Sequence, residues 1–186
     1  MKSYRLTSFK GPLEAQTGPV PEPKGREVLL KVSAAGICHS DIHIWEGGYN
    51  IGNGKMYSVM DKGGITLPVT MGHEVSGVAL KAGPDAPAVK LGQQYLVFPW
   101  IGCGQCATCT AGDEHLCNKA RSLGIYQDGG YADHMLVPDT RYLLDLDGLD
   151  PVTTAPYACS GLTAFSALKK AGDVIRSEPI VVIGAG

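Results

Sequence analysis

The stretch GCGQCATCTAGDEHLC, residues 102–117, sets Cys103, Cys106, Cys109 and Cys117 at the spacing CxxCxxCx7C. Disulfides between cysteines this close are mostly strained. CxxC turns instead let backbone amides face the sulfurs, and four thiolates around a tetrahedral ion are the donor set of a closed structural zinc site. An iron–sulfur cluster also uses closely spaced CxxC runs, but no Pro follows the last Cys and no second cysteine set accompanies this one. Structural zinc is therefore the favoured reading, and the segment that carries it forms an irregular lobe rather than core. The chain has six cysteines, and its start, MKSYRLTSFK, lacks the apolar segment of an export signal. Metal ligation thus outranks a disulfide framework.

Around this lobe the sequence predicts a mainly β chain. SYRLTSF and EVLLKVSAAG are rich in strand formers and are separated by TGPVPEPKG, which is too Pro-rich for a helix. HEVSGVALKAG, QQYLVFPW and YADHMLVPD continue the pattern to about residue 145. Glycine, at 25 of 186 residues, is about twice its usual share of about 7%, as expected of short strands joined by many turns. Six of these glycines fall between Glu46 and Leu67, an irregular segment expected to border a pocket. From Asp150 the character changes. DPVTTAPYACSGLTAFSALKKAG is Ala-rich, has Pro151 in a first-turn position and Gly172 as a stop, and predicts two successive helices. IVVIGAG then reads as a buried strand entering a phosphate-binding turn, with Gly184 and Gly186 supplying two glycines of a fingerprint that needs three.

Two cysteines remain, Cys38 in GICHSDIH and Cys159 in APYACSGLTAF. Each alone reads as a small buried side chain. GHEVSG, with His73 and Glu74 at the start of a strand, changes that balance. Cys38, His73 and Cys159 together make three zinc ligands with a fourth position left for an exchangeable oxygen, the layout of catalytic zinc.

These segments, GICHSD, GHE, the four-cysteine lobe, ACSGLTA and VVIGAG, resemble in order the zinc-dependent alcohol dehydrogenases of the medium-chain dehydrogenase/reductase superfamily. The resemblance implies a GroES-like catalytic domain over 1–149, with its zinc lobe at 102–117. It also implies that residues 150–186 are the linking helices and first strand of a Rossmann-type nucleotide-binding domain, cut within its glycine turn. Two zincs per chain follow from it, one catalytic on Cys38, His73 and Cys159 and one structural on the lobe. Glu74 matches the acid that can approach the catalytic metal, although it could equally hold a backbone amide. Ser40 and His43 match a proton relay that runs from the reacting oxygen through the Ser hydroxyl and the cofactor ribose. Asp41 matches the carboxylate that orients the zinc-binding His, as such ligands generally require. His39 can face the cofactor pyrophosphate, and Thr163 lies beside the nicotinamide.

Trp45, Tyr49 and Trp100 could line an apolar substrate pocket or serve as ordinary packing. His115 and His134 have no partner spacing and read as solvated or structural. The implied function is reversible oxidation of primary or secondary alcohols to aldehydes or ketones by hydride transfer to NAD or NADP. The residue that chooses between the two cofactors lies past Gly186. Zinc-free quinone oxidoreductases of the same superfamily fit poorly, because every zinc-ligand position is filled. A non-catalytic zinc-binding module or fragment is the alternative; a thiol switch on the lobe has no support. A net charge of −2 and scattered Lys and Arg argue against nucleic acid, and no apolar run reaches the roughly 20 residues of a membrane span. The expectation is a cytoplasmic protein that is a homo-oligomer of two or four chains in its full-length form, while these 186 residues alone bind zinc but turn over poorly or not at all.

Overall fold

The computed structural model describes residues 1–61, 64–86 and 89–183. The chain runs through β1 (Lys2–Leu6), β2 (Glu14–Thr17), β3 (Val28–Gly36), α1 (His39–Glu46), β4 (Gly48–Asn50), β5 (Met56–Ser58) and β6 (Val69–Thr70). It continues with β7 (Glu74–Ala82), β8 (Gln94–Val97), α2 (Ala107–Thr110), β9 (His134–Val137) and β10 (Leu143–Asp145). The last elements are α3 (Pro151–Thr154), α4 (Ser160–Ala171) and α5 (Val174–Ser177). The five strand segments predicted before about residue 145 all contain strands.

Five strands make the main sheet in the order β10-β8-β7-β3-β9, and β2-β1-β6 form a second sheet. Every pairing in both is antiparallel. The central pair, β3 and β7, is bulged between Leu29 and Leu30 and between Val32 and Ala34, which curves the sheet. Val28, Leu30, Val75, Ala79, Val97 and Val137 close one core between its strands. A second core gathers Leu6, Ile44, Val59, Ile65, Val69 and Met71 beneath α1. Full burial of each such aliphatic side chain contributes roughly 1.5–3 kcal/mol.

The β3–β7 register fixes where chemistry can occur. Gly36 pairs with Glu74 at the last rung, so Cys38, two residues beyond β3, and His73, one before β7, emerge at the same sheet end. Cys38 is also the N-cap of α1, whose third residue, Asp41, accepts the Cys38 backbone N–H at 3.0 Å. Gly47 ends α1 in the left-handed region at φ +88°, where a Cβ would press on the Phe9 ring.

The helical tail starts where the sequence predicts. Asp150 caps α3 by accepting the Thr153 N–H at 2.9 Å, Pro151 occupies the first turn, and Gly172 stops α4. Buried Ser76 in β7 donates its hydroxyl to the Pro151 carbonyl at 2.7 Å, docking this segment on the main sheet. Ile180–Ile183 depart from the expected buried strand. Ile183 is 97% exposed, and none of the four pairs with another strand among the described residues, so neither ladder hydrogen bonds nor apolar cover holds them in a sheet. Gly184 and Gly186 lie outside the described residues. No helix of the described residues is long and apolar enough to cross a membrane.

Candidate metal centre

Cys38, His73 and Cys159 come from three distant parts of the chain, yet one ligand atom from each lies within 4.8 Å of the others. The two sulfurs are 3.7 Å apart. A zinc–sulfur bond of about 2.3 Å in a tetrahedron puts sulfurs roughly 3.8 Å apart, whereas a disulfide needs about 2.05 Å. The spacing therefore fits shared ligation of one ion and no covalent bond. All six cysteines of the chain are free thiols.

His73 is fully buried, and neither ring nitrogen completes a hydrogen bond among the described residues. Its Nδ1 faces Asp41 Oδ1 at 3.2 Å, which leaves the other nitrogen to serve the sulfurs. A buried imidazole oriented by a carboxylate on one side and facing two sulfurs on the other is the environment of a metal ligand. Burial pulls the His73 imidazole down, but Asp41 and the two cysteines outweigh it and push it up to about 11 in the absence of an ion. Burial opposes ionisation of Cys38 too; the Ser40 amide and hydroxyl, with His73, overcome it and hold the thiol below its ordinary value. Burial, against the pull of His73, pushes the Cys159 thiol up.

Asp41, predicted to orient the zinc-binding His, is 2% exposed and does face His73. Glu74 is equally buried, and its Oε1 accepts the Ser160 N–H at 3.1 Å. It holds the backbone next to Cys159 and is not among the three residues that converge. His39 and His43 stack with ring centroids 4.7 Å apart, and the Tyr49 ring lies 4.7 Å from that of His43. His43 Nδ1 is buried without a hydrogen-bond partner among the described residues and sits 3.7 Å from Glu46 Oε2.

The aromatic candidates separate. Trp100 lies 5.7 Å from the His73 ring, donates its indole N–H to the Ala158 carbonyl at 3.0 Å and lines an open cleft of about 560 Å³. Phe98, His115, Leu162, Thr163 and Lys170 line the same cleft, which brings Thr163 and Trp100 together. Trp45 instead packs on the Leu6 core with its indole N–H bonded to the Gly11 carbonyl at 2.6 Å, and Tyr49 packs partly on that core. Sequence spacing gave no reason to single out His115, because the lobe turn that aims it at the cleft is a tertiary feature. His134 pairs with Asp133 at 2.8 Å, a structural role.

The four lobe cysteines also converge within 4.8 Å, with sulfur separations of 3.5 Å for Cys106–Cys109, 3.8 Å for Cys106–Cys117 and 3.9 Å for Cys103–Cys109. These separations again fit the edges of a tetrahedron of thiolates around one ion. Backbone amides of Gln105 and Cys106 hold the Cys103 thiol down at about 6, the anion-stabilising role expected of CxxC turns. Gly102 is required beside them, since a Cβ there would lie 2.5 Å from the Cys109 sulfur. Glu114 moors the lobe to the main sheet, accepting the Gly102 N–H at 3.2 Å and the Tyr142 hydroxyl at 2.9 Å.

The alcohol dehydrogenase GroES-like domain family matches residues 24–147. Over all 186 residues the chain is 43% identical to the NAD-dependent alcohol dehydrogenase of Sulfurisphaera tokodaii, covering 52% of that protein. The crystal structure of D-arabinose dehydrogenase from Sulfolobus solfataricus is similar, with a TM-score of 0.80 and 32% identity over 95% of this chain and 50% of that one. Acetophenone reductase from Geotrichum candidum, in complex with NAD, gives a TM-score of 0.74 and 30% identity over 92% of this chain and 47% of that one. The chain spans about half the length of the curated relatives it matches.

Proposed function

The chain belongs to the alcohol dehydrogenase GroES-like domain family, and on that premise we propose that it carries the metal-binding, alcohol-activating part of a zinc-dependent dehydrogenase. The reaction is the interconversion of primary or secondary alcohols with aldehydes or ketones, with hydride passing to or from NAD or NADP. One observation carries this reading: the convergence of Cys38, His73 and Cys159, three ligands rather than four, beside a cleft. A closed four-ligand lobe in the same chain supplies the contrast, since it leaves no position for an exchangeable ligand.

Cys38, His73 and Cys159 would hold zinc, which would supply Lewis acidity to an alcohol hydroxyl or a carbonyl oxygen. The protein's own groups do the rest. Asp41 keeps the His73 ring turned, and Glu74 anchors the Ser160 amide so that Cys159 stays in reach. Ser40, beside Cys38, is in this reading the first proton carrier, and His43, one turn further along α1, passes the proton outward. Trp100 and Thr163 line the cleft that this reading assigns to the substrate carbon and the nicotinamide. His39 is assigned to the cofactor pyrophosphate.

Residues 1–149 form the catalytic domain of this reading, and 150–186 add the third ligand, Cys159, and lead into a nucleotide-binding domain, a division that rests on the family resemblance. A cytoplasmic homo-oligomer of two or four chains belongs to the same reading. The test is to load the protein with Co(II) and titrate it with primary and secondary alcohols, ketones and NAD(P)H. Saturable changes in the Co(II) visible bands on adding alcohol, absent in Cys159→Ser, support the proposal. A protein that takes up metal yet shows no response to alcohol or cofactor is a binding module instead.

A further inference from the structure

Tyr131 belongs to none of the motifs that mark the site, yet its hydroxyl donates to Asp41 Oδ2 at 2.9 Å. We propose that Tyr131 is a positioning residue of the Cys38–His73–Cys159 site, acting through Asp41; the inference rests on the reading of those three as metal ligands.

Asp41 is a buried carboxylate whose two oxygens have divided tasks. Oδ1 faces His73 Nδ1, while Oδ2 accepts both the Cys38 N–H at 3.0 Å and the Tyr131 hydroxyl. Tyr131 therefore fixes the rotation of the carboxylate that orients one ligand and caps the backbone of another. Its hydroxyl also lies 3.4 Å from the Gly36 carbonyl, at the end of the strand that leads to Cys38.

The phenol has little freedom to do otherwise. The Gly129–Tyr131 segment runs along Thr70–Gly72, with the N–H of Gly129 bonded to Thr70, that of Gly130 to Gly72 and that of Tyr131 to Met71, all at 2.7–2.9 Å. Gly72, immediately before His73, has φ +92°, and a Cβ there would lie 2.6 Å from the Tyr131 ring. Glycine at this position thus satisfies two demands, a left-handed backbone and room for the ring. Tyr131 touches the segments that deliver Cys38 and His73 and leaves Cys159 to Glu74.

The rival reading is that Tyr131 fills the core and its hydroxyl merely finds an acceptor. Tyr131→Phe keeps the ring and removes only the hydroxyl. Co(II) affinity at the three-residue site and at the lobe is measured in one titration against a chromophoric chelator, the two distinguished by their thiolate charge-transfer bands. Outer partners of metal ligands typically change affinity 10- to 100-fold, and a partner one bond further out is expected to change it about tenfold. The expected result is a weakening of that size at Cys38, His73 and Cys159, no change at the lobe, and no further effect of Tyr131→Phe in an Asp41→Asn background. Equal weakening at both sites, wild-type affinity at the three-residue site, or a full effect surviving in Asp41→Asn overturns the proposal. If Asp41→Asn does not fold, the comparison of the two sites in Tyr131→Phe alone decides. Wild-type protein that takes up Co(II) only in the lobe defeats the metal-site reading itself, an outcome distinct from a failure of Tyr131 alone.

Discussion

Gly36 and Glu74 stand opposite each other at the last rung of the β3–β7 ladder, and a Cβ on Gly36 would lie 2.4 Å from Glu74 Oε2. The missing side chain on one strand makes room for the carboxylate of the other, which reaches across to the Ser160 amide. Gly36→Ala is expected to push that carboxylate aside and loosen the segment holding Cys159. Overpacking of this kind typically costs about 1–3 kcal/mol. Thermal denaturation should show a lowered Tm, and metal affinity at the Cys38 site should fall while the lobe keeps its own.

Ser76 links the main sheet to the same segment from below. Ser76→Ala removes one of two donors to the Pro151 carbonyl, which keeps the Ala155 N–H, so the loss is that of one hydrogen bond, about 0.5–1.5 kcal/mol. Denaturant unfolding should show a lowered midpoint with an unchanged slope, and Ser76→Thr, which keeps the hydroxyl, should lose less if the extra methyl is accommodated.

The lobe is expected to be held by its metal. Cys109→Ser should release one equivalent of metal, and binding that favours the native state by about 4 kcal/mol at a thousandfold excess over Kd corresponds to a Tm difference of about 10 °C for a chain of this size. A shift at least as large should appear in wild-type protein treated with a strong chelator, which strips both sites. A Cys109→Ser protein with unchanged Tm would mean that Glu114, Tyr142 and Arg141 hold the lobe without metal.

Acid should expose a second tie. The Arg26 guanidinium beside Asp139 holds that carboxyl below its ordinary value, and the Arg141 N–H adds to it. A carboxyl depressed in the folded state contributes stability that is complete above its unfolded value near 3.8 and is lost as pH falls through the lower folded value. Asp139→Asn should therefore melt a few degrees below wild type at pH 7, with the two curves converging below about pH 3.8. A gap that stays constant down to low pH would assign the effect to packing instead.

How much of this was legible in the sequence depends on the range of the interaction. Runs such as EVLLKVSAAG and HEVSGVALKAG announce strands because their residue types suit a pleated, half-buried surface. Asp150, Pro151 and Gly172 announce helix ends for equally local reasons. The lobe was readable because all four donors lie within fifteen residues. Cys38, His73 and Cys159 were plausible only as a set, and what brings them together is the Gly36–Glu74 register and the Ser76–Pro151 bond, neither of which spacing reveals. Tyr131, 90 positions from Asp41, carried no signal for the same reason. Trp45 stayed open between pocket and packing because an aromatic residue near a motif looks alike whether it faces a cleft or, as here, packs on the Leu6 core.

The central claim is that Cys38, His73 and Cys159 hold a metal ion separate from that of the lobe. Elemental analysis of purified protein after dialysis tests it most directly. The account predicts two equivalents of zinc in the wild type and one each in Cys38→Ser and His73→Gln, with the lobe equivalent retained. A single equivalent in the wild type, or two equivalents surviving in Cys38→Ser, would contradict it.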